Sequence, residues 1–597
     1  MDRALAGSPA SPGIVVGPVH LLRWEVPEVR HAVVAPEQVP QELERLHAAV
    51  ATTRERLGTV RARAEAHAGP EEAAIFDVQL SILEDAELIG RIEGLVRQNL
   101  VAEKAVDLVL LEWRQSFARH AQPMIRERER DLVDLHIRLL SVLLGLPDHD
   151  PVDLPPGAGA ILVTHDLTPS LTVQLDRGAI AAIATDEGTR TSHVAILARS
   201  LGIPAIVGLR DATTRLRGGE RAVLDGTTGL LIVNPTPAEV HQYEQRAHRE
   251  QRAAEALARE AGVDAVTTDG VRIVVRANVD LPEEAEHAAT SGAEGVGLFR
   301  TEFLVVGRTT MPDEEEQVRA YVRVAETFQG HPVTIRTYDI GGDKLPVGGY
   351  PPEANPFLGW RAIRMCLDEP AFFKTQLRAL LRAAVHGDVR IMLPLVVSLD
   401  EVRRARELLH EAAEELAAAG VPFRRDVPLG VMLETPAAAV ACDTLAGEVA
   451  FFSIGTNDLV QYTLAVDRGN ANLAARFTPL HPAVLRLIAR VAEVGHAHGI
   501  EVAVCGEMAS EPLMAFALLG LGLRQLSVAP SSVPRVKRVL RGVSAGLATE
   551  AAQAAVRANT ADGAAQQLRQ RLRAAFSDDE LATLGLPGGV ASAYREH

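Results

Sequence analysis

The second half of the chain alternates strand-like and helix-like segments eight times, and this repeat limits its fold more than any other feature. The apolar runs between Thr267 and Pro530 read VRIVVRANV, GVGLFR, VTIRTYD, VRIMLPLV, LGVMLE, VAFFSIGT, EVAVCGE and RQLSVAP. Strands that alternate with helices form parallel sheets. Eight such units predict a (β/α)8 barrel of the TIM type, whose chemistry lies at the carboxyl ends of the strands.

Polar residues of this half fall at those predicted ends, namely Arg300, Arg336, Glu434, Asn457, Asp458, Cys505 and Glu507. Two guanidiniums in one barrel mouth repel each other unless an anion lies between them, so Arg300 and Arg336 indicate a phosphate or carboxylate ligand. The alternative is that each arginine pairs with a nearby carboxylate, for which Glu302 and Asp339 are available.

Two carboxylates in the same region indicate a metal site. Glu434 in LETP and Asp458 in GTNDL end the neighbouring strands five and six. Oxygen ligands with room for water and substrate phosphate suit Mg²⁺, and the sequence has no His/Cys cluster with zinc spacing. Arg468, in the loop after Asp458, can add an anion contact. Cys505 ends strand seven; a buried cysteine is usually a small apolar residue, but beside such a site its thiol can donate a proton.

The first half of the chain predicts an α/β domain interrupted by helices. A β-like run, GIVVGPVHLL, is resumed only by AGAILVTHDL, and apolar residues between them recur at helical spacing. We therefore predict a multidomain α/β protein: an α/β domain in two parts (1–37 and 147–235), a helical insert (38–146), a helical linker (236–262), the barrel domain (263–575) and a tail (576–597).

His193 stands out among the histidines because of its place in the α/β domain. The run TRTSH puts it at the start of the helix VAILARSL, which Gly202 and Pro204 end. A helix N-terminus stabilises an anion, and neutral imidazole is a nucleophile near neutral pH. These features predict a histidine that becomes phosphorylated. The alternative, a capping histidine, explains the helix but leaves the barrel site without a partner.

Charge and cysteine content restrict the binding partners and the cellular compartment that fit this chain. The 597 residues carry a formal net charge of −17, which argues against sequence-independent binding to nucleic acid or to an anionic membrane face. Three scattered cysteines fit a reducing compartment. The start lacks the pattern of a signal peptide and no apolar run has the length of a membrane span, so we expect a cytoplasmic protein without membrane insertion.

The motifs together resemble the enzyme I family of the bacterial sugar phosphotransferase system. The resemblance covers nearly the whole chain through SPGI, EEAAIFDVQLSILEDAEL, DLTPS, RTSHVAILARSLGIPAIVG, GAEGVGLFRTEFL, RTYDIGGDK, NPFLGWRAIR, VMLETPAA, FFSIGTNDLVQYTLAVDRGN and CGEMA. It implies a swivelling phosphohistidine domain that takes a phosphoryl group from phosphoenolpyruvate in the barrel. The group then passes to the carrier HPr on the helical insert, as the first step of sugar uptake and phosphorylation.

The resemblance also implies a role for each site residue. His193 is the phosphorylated nucleophile, and Cys505 protonates the enolate to give pyruvate. Glu434 and Asp458 hold Mg²⁺, and Thr168 hydrogen-bonds the histidine ring. Phosphoenolpyruvate is bound by Arg300, Arg336, Asn457, Asp458 and Arg468. Members of the family dimerise through the barrel, so a homodimer is expected.

The segment from Glu71 to Leu88 has six carboxylates and no Lys or Arg. It is a candidate landing face for a basic carrier, and the alternative is an ordinary solvated helix face. Two departures from the family pattern occur: Thr189 replaces a glycine before RTSH, removing a flexible backbone position, and GGDKLP is one residue shorter than a common form.

Three other functions are compatible with parts of the sequence. A pyruvate-phosphate dikinase or phosphoenolpyruvate synthase shares the histidine and the barrel, but would carry a large nucleotide-binding domain where this chain has helices and no Gly-rich phosphate loop. A regulatory protein without activity would not need the intact His193, carboxylates and Cys505. A barrel lyase acting on a keto acid would leave the histidine domain without a task.

Overall fold

The computed structural model describes residues 3–22, 24, 26–68, 70–118, 129–146, 159–167, 171, 179–188, 194–195, 198, 202–305, 310–341, 353, 355–468, 470, 473, 476–577, 580–581 and 584–586. The chain forms two compact units, Met1–Arg252 and Ala253–His597. The division falls inside a helix, Pro237–Arg259, within the segment 236–262 that the sequence predicts as a linker. The other domain boundaries stay predictions.

The first unit contains an eight-stranded sheet. Its strands are β1 Ala4–Ala6, β2 Ser8–Ser11, β3 Ile14–Leu22, β4 Ala160–Thr164, β5 Ile180–Thr185, β6 Ala205–Val207, β7 Arg221–Asp225 and β8 Leu230–Val233. Their order is β1-β8-β7-β3-β4-β5-β6-β2. Strands β3 and β4 are parallel neighbours although the helical insert separates them in sequence. The carboxyl ends of β4 and β5 lie side by side, since these strands are also parallel.

The helical insert has a hydrophobic core of its own. Its helices are α1 Val39–Ala68, α2 Pro70–Leu83, α3 Ala86–Arg97, α4 Ala102–Ala118 and α5 Glu129–Leu143. Apolar side chains at helical spacing meet between them, with Leu46, Leu57, Phe76, Leu88 and Leu110 fully buried. Further along the chain lie α6 Ala212–Arg215 and α7 Pro237–Arg259, and α7 crosses the division between the two units.

The second unit is a closed parallel barrel, as predicted. After a short strand, β9 Ala265–Val266, the barrel strands are β10 Arg272–Val279, β11 Val296–Arg300, β12 Pro332–Arg336, β13 Asp388–Leu393, β14 Leu429–Leu433, β15 Phe451–Ile454, β16 Glu501–Val504 and β17 Gln525–Val528. Strand β10 pairs in parallel with both β11 and β17, which closes the sheet. Each of the eight predicted strands is present.

Helices surround this barrel and cover its outer face. They are α8 Glu284–Thr290, α9 Glu314–Thr327, α10 Ile363–Asp368, α11 Pro370–Ala383, α12 Leu399–Ala418, α13 Pro436–Val440, α14 Cys442–Ala446, α15 Thr456–Leu464, α16 Pro482–His498, α17 Pro512–Gly520, α18 Val533–Arg541, α19 Ala545–Arg557 and α20 Ala561–Leu572. No helix in the described ranges combines the length and apolarity needed to cross a bilayer.

Side chains fill the barrel interior in layers. At the amino-terminal end, Arg276 and Arg390 both contact Glu501, at 2.7 and 3.2 Å. An apolar layer follows, made of Leu298, Met392, Met432, Phe451 and Cys505. The barrel interior is therefore a packed core rather than a channel, and the carboxyl ends of the strands are where barrels of this type carry their active sites.

Candidate active site

The predicted barrel residues lie together at the carboxyl ends of the strands. Arg300 and Arg336 are the last residues of the adjacent strands β11 and β12, while Glu434 and Cys505 directly follow β14 and β16. One detail differs from the prediction. Asn457 and Asp458 lie in the first turn of α15 rather than at a strand end, because β15 ends at Ile454 and Gly455 leads directly into the helix.

Carboxylates of the chain itself accompany the two predicted arginines. Arg336 donates to Glu302 and lies 3.0 Å from Asp339 Oδ2, so the alternative pairing considered for it is present. Arg300 pairs instead with Asp280, at 2.9 and 3.1 Å. Although burial opposes ionisation, these carboxylates raise the pKa of both guanidiniums, so both stay cationic.

A third guanidinium, Arg361, belongs to the same site and was missed by sequence reasoning. Its Nε and Nη2 donate to Asp339 Oδ1 at 3.0 and 2.5 Å, and Nη2 is 3.9 Å from Asp458 Oδ2. The guanidinium also lies over the Phe357 ring. Arg361 was missed because it precedes α10 in the long β12–β13 connection, away from every strand end. The run NPFLGWR, with one arginine among turn-forming and aromatic residues, was the available signal.

The Glu434 and Asp458 carboxylates lie next to each other and are buried, at 2% and 6% exposure. Glu434 accepts the Leu395 N–H at 2.6 Å, and a Cβ placed on Gly455, at the start of α15, would be 2.8 Å from its Oε2. Burial and then the charges of Asp458 and Asp339 raise the pKa of Glu434 to about 8. A bound cation would favour ionised carboxylates here.

The donor set fits Mg²⁺ rather than a metal that needs a complete protein cage. Within the described part of the chain, no group of three or more His, Cys, Asp or Glu side chains could hold a metal ion. Mg²⁺ is usually held by one or two carboxylates, with water and substrate phosphate as the other ligands. Glu434 and Asp458 supply that number.

The described mouth residues include acidic and basic side chains close together. Six carboxylates, of Asp280, Glu302, Asp339, Glu434, Asp458 and Glu507, accompany four guanidiniums, of Arg300, Arg336, Arg361 and Arg468. Arg468 is the most exposed of these arginines and lies 3.9 Å from Asp458 Oδ1. An anionic ligand therefore has guanidinium partners here, and the carboxylates beside them would favour a cation next to the ligand.

Cys505 is held in place and keeps its proton. The residue is 1% exposed, its backbone oxygen accepts from Asn278 Nδ2 at 3.0 Å, and its Sγ lies 3.7 Å from the Ile454 carbonyl oxygen. Burial is the main cause that raises the pKa of the thiol to about 11. At neutral pH the group is a protonated thiol, which suits a proton donor better than a nucleophile.

The first turn of α15, which carries Asn457, is joined to the loop after β16, which carries Cys505. Asn457 Nδ2 donates to Glu507 Oε1 at 3.3 Å, and the Glu507 N–H donates to Asn457 Oδ1 at 3.2 Å. A Cβ on Gly506 would lie 2.7 Å from the Thr456 backbone nitrogen. The close approach of the loop to the helix therefore requires glycine at position 506.

The predicted histidine site of the first unit lies outside the described residues, since His193, Thr168 and Thr189 all do. The described residues around it include Val194, Ala195 and Ala198, which are helical and buried, and Gly202, whose φ of +66° is in the left-handed region expected at a helix end. His165 follows β4 and Asp186 follows the neighbouring strand β5. His165 Nδ1 lies 3.8 Å from Asp186 Oδ2.

Intramolecular contacts involve several carboxylates of the segment 71–88. Asp77 contacts Arg61 at 2.6 Å, Glu84 contacts Arg54 at 3.2 Å, and Asp85 accepts two backbone N–H groups at the start of α3. The side chains of Glu71 and Glu72 lie outside the described residues. A landing face for a basic partner on this segment stays a prediction.

Comparisons with known proteins match the chain along most of its length. Family models fit residues 6–128 (PEP-utilising enzyme, N-terminal), 156–229 (PEP-utilising enzyme, mobile domain) and 254–545 (PEP-utilising enzyme, PEP-binding domain). A phosphoenolpyruvate-protein phosphotransferase of Geobacillus stearothermophilus is 42% identical over 534 residues, covering 89% of this chain and 92% of the relative. One of Staphylococcus epidermidis is 39% identical over 567 residues, covering 94% and 98%.

Among solved structures, a solution structure of an Enzyme I protein (nEIt) is 31% identical. It aligns over 41% of this chain and 99% of its own, with a TM-score of 0.37.

Proposed function

Because the chain belongs to the phosphoenolpyruvate-protein phosphotransferase family, we propose the roles that its own residues have in that reaction. The phosphoryl group of phosphoenolpyruvate passes to His193 and then to the carrier HPr, and pyruvate is released. The observation that supports the barrel as the substrate site is the meeting of guanidiniums and two buried carboxylates at one end of it.

The guanidiniums bind the two anionic groups of phosphoenolpyruvate. Arg300 and Arg336 lie at strand ends, Arg361 lies in the β12–β13 connection and Arg468 in the loop after α15. The Asn457 amide can donate a further hydrogen bond. Phosphoryl transfer needs mainly alignment and charge stabilisation, and guanidiniums match the fork geometry of phosphate and carboxylate.

Glu434 and Asp458 would hold Mg²⁺. When bound, the ion supplies charge neutralisation on the phosphoryl oxygens. The two buried carboxylates support this proposal, because a cation between them would offset the burial and the repulsion that raise the pKa of Glu434. We expect that chelation of divalent cations weakens phosphoenolpyruvate binding, and that Glu434→Gln raises the Mg²⁺ concentration needed for half-maximal pyruvate formation.

The proton that completes pyruvate comes from Cys505. As a His193 ring nitrogen bonds to phosphorus, the bond between phosphorus and the enol oxygen breaks, and its electron pair stays on that oxygen. The methylene carbon of the resulting enolate then takes the proton from Sγ. The thiolate recovers a proton from water.

Three further features complete the proposal. HPr docks on the helical insert, where the acidic residues of the segment 71–88 favour a basic partner, and Thr168 supports the His193 ring. The chain forms a homodimer through the barrel domain, in line with the family.

Incubation with phosphoenolpyruvate carrying a labelled phosphoryl group tests the first step. We expect Mg²⁺-dependent label on the protein that is labile to acid and stable to base, as a phosphohistidine is, and that moves to purified HPr. His193→Ala should carry no label, whereas His165→Ala, a histidine in the same unit, should be labelled normally. Label that survives in His193→Ala would contradict the assignment.

A further inference from the structure

The ion pair between Asp280 and Arg300 uses only one of the three guanidinium nitrogens. Both carboxylate oxygens of Asp280 accept from the same nitrogen of Arg300, Nη1, at 2.9 and 3.1 Å. A guanidinium has five N–H groups arranged in a fork. Within the described residues, Nη2 and Nε of Arg300 make no hydrogen bond, so one edge of this cation is held and the other stays available.

The register of the barrel brings Asp280 to this position. Val279, the last residue of β10, pairs with Phe299 of the parallel strand β11, so the next residues, Asp280 and Arg300, extend side by side at the mouth. The turn after β10 is itself restrained. Glu284 Oε2, in the first turn of α8, accepts the N–H groups of Asp280 and Leu281 at 2.9 and 3.3 Å.

Among the described residues, fewer groups hold Arg300 than hold Arg336 or Arg361. Arg336 and Arg361 are each bound by more than one group, and their side chains are only 9% and 10% exposed. The Arg300 side chain is 25% exposed, and Asp280 is its hydrogen-bonding partner among the described residues. A long side chain without such a contact samples several rotamers, and ordering it upon binding costs entropy.

We propose that Asp280 is a positioning residue for phosphoenolpyruvate binding: it holds Arg300 by Nη1 and presents the Nη2–Nε edge to an anionic group of the substrate. The inference rests on the proposed role of Arg300 in binding phosphoenolpyruvate. The alternative is competition, in which the Asp280 carboxylate occupies Arg300 and the substrate must displace it. Because both oxygens engage a single nitrogen, the geometry favours positioning over competition.

Steady-state pyruvate formation in the presence of HPr distinguishes the two models. We expect Asp280→Ala to raise the KM for phosphoenolpyruvate about tenfold, with kcat within about twofold of the wild-type value. Asp280→Asn keeps an acceptor oxygen and should restore most of the affinity. Glu283→Ala is the matched control, because it removes an exposed ion pair with Arg323 from the same turn. Melting temperatures of all variants check that they fold.

Two results would overturn the proposal. An unchanged KM in Asp280→Ala would show that Arg300 needs no support. A KM below the wild-type value in Asp280→Ala or Asp280→Asn would show that the carboxylate competes with the substrate. If Asp280→Ala does not fold, Asp280→Asn still decides between positioning and competition by the direction of its KM.

A double-mutant cycle with Arg300→Ala separates this inference from the site on which it rests. We expect Arg300→Ala to raise KM and Asp280→Ala to add nothing in that background. An equal effect of Asp280→Ala with and without Arg300 would contradict positioning through Arg300. A normal KM in Arg300→Ala would instead remove Arg300 from the substrate site, and a wild-type protein that forms no pyruvate would contradict the proposed function itself.

Discussion

Cys505 shows how burial alone prepares a side chain for one chemical role. The thiol lies in the apolar interior layer of the barrel with Leu298, Met392, Met432 and Phe451. That environment disfavours a thiolate and raises the pKa of Cys505 to about 11. The same side chain is therefore a weak nucleophile and a stable carrier of one proton at physiological pH.

Replacing Cys505 should slow proton delivery without affecting substrate binding. We expect Cys505→Ala to lower kcat for pyruvate formation by at least about a hundredfold, because general acid catalysis contributes factors of this size. The KM for phosphoenolpyruvate should stay within a few-fold. Cys442→Ala, at another buried cysteine, is the control. Pyruvate formation at the wild-type rate in Cys505→Ala would remove this residue from the mechanism.

The pKa of Cys505 also predicts a flat region in the pH profile. Because the thiol stays protonated well below pH 11, kcat should show no loss from its ionisation between pH 7 and 9.

At the scale of elements, the barrel mouth depends on connections that approach closely. The loop after β16 and the first turn of α15 touch at Gly506 and Thr456 and are joined by the two hydrogen bonds between Asn457 and Glu507. These contacts set the relative positions of Cys505 and Asp458. A small steric change between the two elements should therefore affect catalysis through position rather than chemistry.

Gly506→Ala tests this connection. Its Cβ would lie 2.7 Å from the Thr456 backbone nitrogen, so the Cys505 loop and the start of α15 must move apart. We expect kcat to fall at least about tenfold, because small displacements in an active site are costly. Gly447→Ala, where a Cβ has no neighbour within 4 Å, is the control. Full activity in Gly506→Ala would show that this loop adjusts freely.

Helix α5 carries an acid-sensitive group into the core of the helical insert. His136 is 1% exposed and lies 3.3 Å from Asp107; burial is the main cause that lowers its pKa to about 4. In the unfolded chain the imidazole binds a proton below its ordinary pKa of 6.5, whereas the folded chain binds it only near pH 4. The stability contribution is therefore complete above pH 6.5 and is lost as the pH falls towards 4.

We expect the free energy of unfolding to fall by about 3 kcal/mol between pH 6.5 and pH 4. Urea unfolding can be followed by fluorescence in a Trp360→Phe background, where the two remaining tryptophans, Trp24 and Trp113, report on the first unit. We expect His136→Gln to remove most of the pH dependence of the free energy of unfolding between pH 4.5 and 6.5. His47→Gln, at an exposed histidine of α1, should keep it. An unchanged profile in His136→Gln would assign the acid sensitivity to other groups.

At the scale of the whole molecule, the chain has separate hydrophobic cores. Those of the helical insert and of the α/β sheet all lie in residues 1–252, and one large core surrounds the barrel in residues 253–597. Units with separate cores can unfold separately. We therefore expect calorimetry of the full chain to show more than one transition.

Ligands should stabilise only one of these transitions. Phosphoenolpyruvate with Mg²⁺, at about a hundred times its Kd, should add about 2.7 kcal/mol to the unit that binds it. In His193→Ala, which prevents phosphoryl transfer, we expect a shift of the barrel transition alone. The control is a Glu434→Gln/Asp458→Asn double variant, which lacks the proposed Mg²⁺ ligands and should show no shift. Equal shifts of all transitions would place the ligand in contact with both units.

Local sequence by itself determined the barrel and most of the residues at its mouth. The alternation of eight apolar runs with helical patterns was sufficient for the barrel, because strand and helix periodicities depend only on nearby residues. Residues at the ends of those runs, such as Arg300, Glu434 and Cys505, could be assigned to one mouth, since parallel strands bring their carboxyl ends together.

Only the tertiary structure decided which charges meet. Arg361 joined the site because the long β12–β13 connection returns to the mouth and places it on Asp339, and no local pattern specifies that return. Asp280 was equally hidden, since its contact with Arg300 depends on the register between β10 and β11. Coulomb interactions depend on distance in space rather than in sequence, so ion pairs and the pKa values they shift became visible only in the folded chain.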